Sequence, residues 1–466
     1  MENITNTFLN IKDVKEDVEG PTPRIIHSKQ KALTDSINES AAASFSAGIS
    51  TNYIVPFALA LKANALHIGI LSSLYGFIFP LSQLFGSRLM ATRPRKKIVL
   101  KFVFLQALTW IPIAGLAMLF WKGLFQQYLP IALIVLYTIM AFFGGSAYPA
   151  WFSWIGDLIP AKDRGKYLGV RNKATGLVSL AAVLIGAFLL DAFKTKGFVL
   201  IGFAILFAAA FTFRLLSYNL FRHQYVPQFK VRKESYFSFW SFLKRFDNYG
   251  KFAVWRGVLN FAFMIASPFF AVYMLQELNF NYVTFTIVSM SSAAFYLLFT
   301  PLVGKFSDRY GNIKLFYISN FIFAITPLLW IFIKTPVGLI FIPQLLSGLA
   351  NATLLLSITS FTYDAVDPQK RGICVAYTGI LIGIGIFLGS LLGGLIVHNA
   401  DTFSTNPFFL VFSIAAATRF LAGIIFLPKI KEEKSNIKKL PPLHIDVTHP
   451  FRTIHTEIGW FKSILK

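Results

Sequence analysis

The chain has 466 residues, 55% of them hydrophobic and only 14% charged, with 51 phenylalanines and a formal net charge of +23. Soluble domains carry about a quarter of their residues as charges, so this composition excludes a water-facing body of this size and suits lipid as the solvent. The single cysteine, Cys374, excludes an intramolecular disulfide and a cysteine-based metal site.

Residues 1–38 mix acidic and basic groups and lack a short apolar core followed by small residues, so no cleavable signal peptide is expected. A spanning helix needs about 20 mostly apolar residues. Such stretches begin with 40–62, which carries Asn52 and Tyr53, and 66–88. After a basic connection come 98–121 and 129–156, the latter holding Ser146, Tyr148 and Trp151. Span 172–192 is rich in small residues, and 197–221 carries Arg214 inside its end. The longest internal polar break, 222–250, contains an aromatic and basic segment at 235–246 suited to a membrane surface. Next are 251–276 with Arg256 and Asn260, then 282–304 and 313–333, then 336–363 with Gln344 and Asn351. The glycine-rich 373–397 and 405–428, with Arg419, complete the set. In the tail, Ile454, Ile458, Phe461 and Leu465 recur at helical spacing, which reads either as a surface amphipathic helix or as a solvated tail.

The expected fold is an all-α membrane protein of twelve transmembrane helices. It comprises a tail at 1–38, a six-helix bundle at 39–221, a central loop at 222–250, a second six-helix bundle at 251–428 and a tail at 429–466.

Charge placement orients these helices. Alternate connections are basic: Arg88, Arg93, Arg95, Lys96 and Lys97 in one, Lys162, Arg164 and Lys166 in the next, then the central loop, then Lys305, Arg309 and Lys314, then Lys370 and Arg371. The intervening loops hold only isolated cations such as Lys62, Lys122 and Lys334. Lysine and arginine accumulate on the cytoplasmic side, so both termini are expected in the cytoplasm of a multi-pass cell-membrane protein. The same placement explains the basic net charge without nucleic acid as a partner.

The two halves repeat each other. Asp157 stands seven residues before Arg164-Gly165 with Pro160 between, and Asp364 stands seven residues before Arg371-Gly372 with Pro368 between. Arg214 and Arg419 follow runs of three alanines at nearly the same offset from these motifs. Duplicated helical halves suit alternating access, in which two bundles rock about a central site.

Residues 304–314 read Gly304, Asp308, Arg309, Gly311 and Lys314 at the spacing Gly-x-x-x-Asp-Arg-x-Gly-x-x-Lys. This closely resembles the signature loop of the major facilitator superfamily of transporters. The corresponding first-half loop keeps Gly86 and the basic cluster but lacks the Asp and the second Gly. The resemblance covers nearly the whole chain. It implies two pseudo-symmetric bundles, a small-molecule substrate, a monomer, and a charge network around Asp308 that closes the cytoplasmic side. Intramembrane charges usually find partners, so Arg214 is expected to pair with Asp157, and Arg419 with Asp364, in structural or gating roles, with snorkelling to the membrane face as the alternative.

The resemblance further implies a central cavity lined by the first, fourth, seventh and tenth helices. The polar residues near the middle of those helices are Asn52, Tyr53, Tyr148, Trp151, Arg256, Asn260, Gln344 and Asn351. Together they suggest amides and aromatics facing a neutral, hydroxyl-bearing or amphipathic solute. Each could equally serve an interhelical hydrogen bond. No Asp or Glu falls in the middle of an expected helix, so proton coupling draws no support. Gly385, Gly389 and Gly393 form a small-residue ridge, expected as a rocking surface between the halves.

No His-Glu-x-x-His, Gly-x-Ser-x-Gly, cysteine pair or phosphate-binding glycine loop occurs. No enzyme activity, metal or other cofactor is expected. The functional expectation is transport of a small organic solute, sugar-like or another metabolite. Multidrug-type efflux is the alternative within transporters, and a non-transporting scaffold or receptor is the alternative outside them.

Overall fold

In lipid an apolar segment has no water to satisfy its peptide groups, so it must close its own hydrogen bonds as helix. The computed structural model describes residues 23–90, 92–158, 164–225, 239–245, 247–366, 370–399 and 406–433, and among them every regular element is helical. In chain order these are α1 (Pro23–Ser50), α2 (Ile54–Ala60), α3 (Ala65–Leu89), α4 (Arg95–Leu108), α5 (Trp110–Trp121), α6 (Leu129–Leu158), α7 (Arg164–Thr195) and α8 (Val199–His223). The second half holds α9 (Phe239–Arg245), α10 (Asn248–Val272), α11 (Tyr282–Tyr310), α12 (Asn312–Phe332), α13 (Pro336–Leu339), α14 (Leu345–Ala365), α15 (Arg371–His398) and α16 (Pro407–Phe426). Among the described residues eleven helical segments are long and apolar enough to cross a bilayer, so this is a multi-pass membrane protein.

The first expected span differs from its hydropathic outline. Its helix begins at Pro23 rather than near residue 40, and passes through a 3-10 turn, Thr51–Tyr53, into α2. The turn has a local cause: Pro56 has no N–H to give the carbonyl of Asn52, and its ring crowds that carbonyl. The polar side chains Ser36, Glu39, Ser40, Ser46 and Ser50 of α1 are all buried. They face protein, chiefly α7 and α8, so α1 need not be apolar all round.

The chain divides into two compact units, residues 1–62 with 78–232, and residues 63–77 with 233–466. In the first unit α1 packs on α7 and α8, α4 on α6 and α8, and α5 on α8. Phe57 sits against Phe203 and Phe207 at 5.1 and 4.9 Å between ring centroids, and Trp110 stacks on Phe207 at 5.5 Å. Small residues let α1 approach α7: a Cβ on Gly48 would meet the Ser179 carbonyl oxygen at 2.8 Å.

In the second unit α10 lies along α15, α11 along α14, and α12 between α14 and α16. Phe252, Trp255, Phe316 and Phe361 form its buried aromatic centre. The glycine ridge is what lets α10 and α15 touch. Cβ atoms added at Gly385, Gly389 and Gly393 would stand 2.2, 2.2 and 2.1 Å from the carbonyl oxygens of Gly257, Phe261 and Ile265. The ridge expected to serve rocking between the halves therefore packs two helices of one unit, because four-residue spacing matches one helix to successive turns of its neighbour.

Two single-turn π segments, Tyr273–Glu277 and Ile340–Gln344, widen the end of α10 and the entry to α14. Of the surface segment expected at 235–246, residues Phe239–Arg245 form α9, with Phe242 buried against Tyr377 and Trp240 71% exposed. The expected tail helix with Ile454, Ile458, Phe461 and Leu465 lies outside the described residues.

Candidate functional site

Two polar constellations lie inside the helical units. The first belongs to the first unit. Glu39 on α1 is 2% exposed. Its Oε1 accepts from Ser217 Oγ of α8 at 2.8 Å. Ser217 in turn accepts from Arg214 Nη1 at 3.2 Å, and Arg214 grips Gln106 Oε1 on α4 through Nε at 3.0 Å and Nη2 at 2.7 Å. On the other side of Glu39, Ser40 Oγ accepts from Arg171 Nε at 2.9 Å. The Arg171 guanidinium lies over the Trp151 ring at 5.0 Å. One carboxylate thus sits between two guanidiniums, each reached through a serine. A buried carboxylate needs such compensation, because an isolated one would be strongly disfavoured.

This corrects the expectation that no Asp or Glu falls in the middle of a helix, since Glu39 lies well inside α1. Glu39 escaped a hydropathy reading because the apolar stretch begins one residue later, while its helix starts far upstream. The available signal was an acid followed directly by the small-residue run Ser40-Ala41-Ala42-Ala43-Ser44. Gln106, Arg171 and Ser217 were missed with it. Arg214 bonds Gln106 and Ser217, and the side chain of Asp157, its expected partner, is outside the described residues. The side chains of Asp157, Arg164, Asp308 and Arg371 lie outside the described residues.

The second constellation is in the second unit. Arg419 on α16 is 4% exposed. Its Nη1 donates to the Phe323 carbonyl at 3.0 Å, Nη2 to that of Phe263 at 3.2 Å and Nε to that of Ala262 at 3.4 Å. The guanidinium also lies 4.9 Å from the Phe263 ring centroid. The Phe323 carbonyl is available for a chemical reason. Pro327 stands four residues on and has no N–H to fill that helical bond. Arg419 was expected to pair with Asp364. Instead Asp364 is exposed and accepts from Asn312 Nδ2 at 3.2 Å. Carbonyls, one of them freed by proline, were nearer than the carboxylate at the helix end.

Arg419 borders a cavity of about 360 Å³ lined by α10, α11, α12, α14 and the Ile340–Gln344 turn. Gln344 and Asn351, two of the expected binding residues, line it, and Gln344 Nε2 donates to the Val288 carbonyl at 2.7 Å. Arg256 lines a second cavity of about 350 Å³ with Tyr249, Thr359, Thr362 and Tyr363. Asn260 turns back to the Arg256 carbonyl of its own helix at 2.8 Å.

In the first unit Tyr53 is wholly buried, its hydroxyl bonded to the Val183 carbonyl and its ring against Gly186. Asn52 is exposed and reaches the Gly48 carbonyl at 3.4 Å. Tyr148 is 42% exposed and lies 5.6 Å from Trp151. The structure therefore brings Tyr148 and Trp151 together, and Gln344 and Asn351 together, while Tyr53 and Asn260 are engaged within their own packing.

At the signature loop Gly311 has φ of +89°, a conformation glycine tolerates and other residues rarely adopt. That turn seats Asn312 at the start of α12, where Glu432 Oε2 accepts from the Asn312 and Ile313 N–H groups at 2.6 and 2.9 Å. A carboxylate there satisfies orphan N–H groups and the positive end of the helix dipole. Gly304 lies within α11, and Arg309 stands 5.6 Å from the Tyr310 ring centroid. Among the described residues no three His, Cys, Asp or Glu side chains gather as a metal site would need.

Comparison with known proteins follows the same division into halves. A sequence profile described as the Major Facilitator Superfamily matches residues 40–255 and again 253–462. Multidrug resistance protein 1 of Bacillus subtilis (strain 168) is 29% identical over 140 residues, covering 30% of this chain and 34% of that protein. Vacuolar basic amino acid transporter 2 of Saccharomyces cerevisiae is 33% identical over 101 residues, covering 22% of this chain and 21% of that one. The chain thus spans about a third or less of the length of these curated relatives. Among solved structures, the nucleoside transporter NupG superposes with a TM-score of 0.63 at 16% identity, covering 86% of this chain and 99% of that one. A bacterial homologue of the iron transporter ferroportin in an inward-facing state gives 0.65 at 14% identity, covering 87% and 99%. At such identities the likeness is one of fold.

Proposed function

The chain belongs to the Major Facilitator Superfamily, and from that premise we propose that it moves a small organic solute across the cell membrane by alternating access. The observation that carries this reading is the double match of the family profile, once over each half. Rocking of two related bundles is the mechanism such duplication serves. The alternation of basic and charge-poor loops supports a cytoplasmic position for both termini. The protein is read as acting through a single chain and as a carrier rather than an enzyme.

The solute is read as polar with an apolar body. Support comes from cavities walled by aromatic rings and edged by hydroxyls, amides and the guanidinium of Arg256 or Arg419. Small polar ligands bind where a few convergent polar groups stand in an apolar pocket. Asn52, Tyr148, Trp151, Arg256, Gln344 and Asn351 are the proposed contacts. A second reading, multidrug-type efflux, is favoured by the relationship to the Bacillus subtilis multidrug resistance protein.

The test is a thermal-shift panel of sugars, nucleosides, amino acids, organic anions and lipophilic cations on the purified protein. Counterflow of each hit in proteoliposomes follows. One polar class that both stabilises and exchanges supports metabolite transport. Structurally unrelated lipophilic cations that do so support efflux. Failure of every class in both assays rejects transport and favours a membrane scaffold.

A further inference from the structure

A guanidinium carries five N–H donors and stays charged. Arg419 spends three of them on the carbonyls of Ala262, Phe263 and Phe323. Carbonyl dipoles lower the cost of burying the cation but do not neutralise it. Among the described residues no carboxylate borders the cavity against which Arg419 sits. Its rim is instead a set of neutral donors. Among the described residues the side chains of Ser289 and Ser292 of α11, with Ser347 and Asn351 of α14, make no hydrogen bond to protein. Their hydroxyl and amide hydrogens are thus open to a ligand in the cavity they line. An Arg with two N–H groups to spare, ringed by hydroxyl and amide donors in an aromatic-walled space, has the chemistry of an anion site.

We propose that this cavity, inside the second unit, binds a small monoanion: a halide, or the carboxylate head of a small organic acid. The anion accepts from the remaining N–H groups of Arg419 and from the serine and asparagine donors opposite, and neutralises the buried guanidinium. About 360 Å³ holds a halide with water or a short carboxylate. The cavity is one of the two on which the solute reading rests, and the anion inference stands or falls by itself, since binding here is measured without transport.

The experiment uses the full chain purified into sodium sulfate, a dianion whose second charge the one buried guanidinium leaves uncompensated. Sodium chloride, bromide, acetate or benzoate then replaces sulfate at constant ionic strength, and thermal unfolding is followed. Saturable stabilisation by one or more of these anions, with the melting temperature rising along a single-site curve, is the expected result. Chloride and bromide acting alone identify an inorganic occupant. Carboxylates acting more tightly than halides identify an organic acid.

Arg419→Lys keeps the charge but loses the fork, and should weaken the anion by about 10-fold or more, the loss of one charge-assisted hydrogen bond. Ser289→Ala and Asn351→Ala leave the bonds from Arg419 to its three carbonyls intact, so they report on the site even if the arginine variants fail to fold. Each should weaken the same anion several-fold. The proposal is overturned if no anion gives a saturable shift. It is equally overturned if the shift is unchanged in both Ser289→Ala and Asn351→Ala.

Discussion

Arg214 meets Glu39 through a single hydroxyl, with Ser217 Oγ accepting from Arg214 Nη1 at 3.2 Å and donating to Glu39 Oε1 at 2.8 Å. Glu39 thereby becomes the shared anion of two cations, since Arg171 approaches through Ser40 on the other side. In a medium without water, removing the one acid strands both guanidiniums. Breaking a buried charge network by deleting one partner costs about 3–5 kcal/mol. Glu39→Gln is expected to lower the melting temperature of the purified protein sharply, and Arg214→Gln to do the same. The double variant should lose less than the two single losses added together. Strict additivity in that cycle would show that the two residues are not coupled.

Two glycines of α15 provide a matched pair. A Cβ on Gly389 would stand 2.2 Å from the Phe261 carbonyl oxygen, whereas one on Gly379 would meet nothing within 4 Å. Gly389→Ala should therefore force α10 and α15 apart and destabilise the second unit, by about 1–3 kcal/mol as overpacking does. Gly379→Ala should be neutral or stabilising, since alanine is the better helix former by about 1 kcal/mol. Thermal unfolding of the two variants side by side checks this, and equal stability would contradict the interface described.

The two motif glycines also separate. Gly311 sits at φ of +89°, and Gly304 lies in α11 with room for a Cβ 3.7 Å from Leu356 Cδ1. Gly311→Ala is expected to cost about 1–3 kcal/mol, since φ +89° with ψ 176° is a backbone conformation essentially reserved for glycine, and to loosen the start of α12. Gly304→Ala should leave stability nearly unchanged. If Gly304→Ala nonetheless abolishes transport, its role lies in a conformation other than this one.

Topology can be read by labelling. Thr92 is exposed at a basic connection and Phe125 is 67% exposed at a charge-poor one. In a Cys374→Ser background, Phe125→Cys should react with a membrane-impermeant maleimide in intact cells. Thr92→Cys should react only after permeabilisation. The reverse pattern would invert the orientation inferred from the lysines and arginines.

Hydropathy and charge carried much of this protein to the surface of its sequence. The eleven apolar helices among the described residues, the alternation of basic loops and the Gly304–Lys314 motif need only composition and spacing. Lipid punishes any unsatisfied backbone or unplaced charge, so each span must announce itself locally. The motif's second glycine was likewise legible, because a left-handed turn demands that residue whatever surrounds it.

What stayed hidden depends on neighbours. Hydropathy measures suitability for lipid, so it began the first helix at residue 40 and left Glu39 outside, although protein rather than lipid surrounds that part of α1. Gln106, the partner that grips Arg214 twice, and the carbonyls that hold Arg419 are distant in the chain, whereas Ser217 stands three residues from Arg214. Their choice turned on which acceptors stood within reach: Gln106 and Ser217 for one, and for the other a carbonyl left open by Pro327. The direction of the glycine ridge toward α10 was equally a matter of which helix lay alongside. Sequence alone determined that this chain must be a bundle of membrane helices from a transporter superfamily. Only the tertiary structure decided where its few buried charges rest. A low-dielectric interior makes each one seek the nearest acceptor in space, and nearness in space is not written in local order.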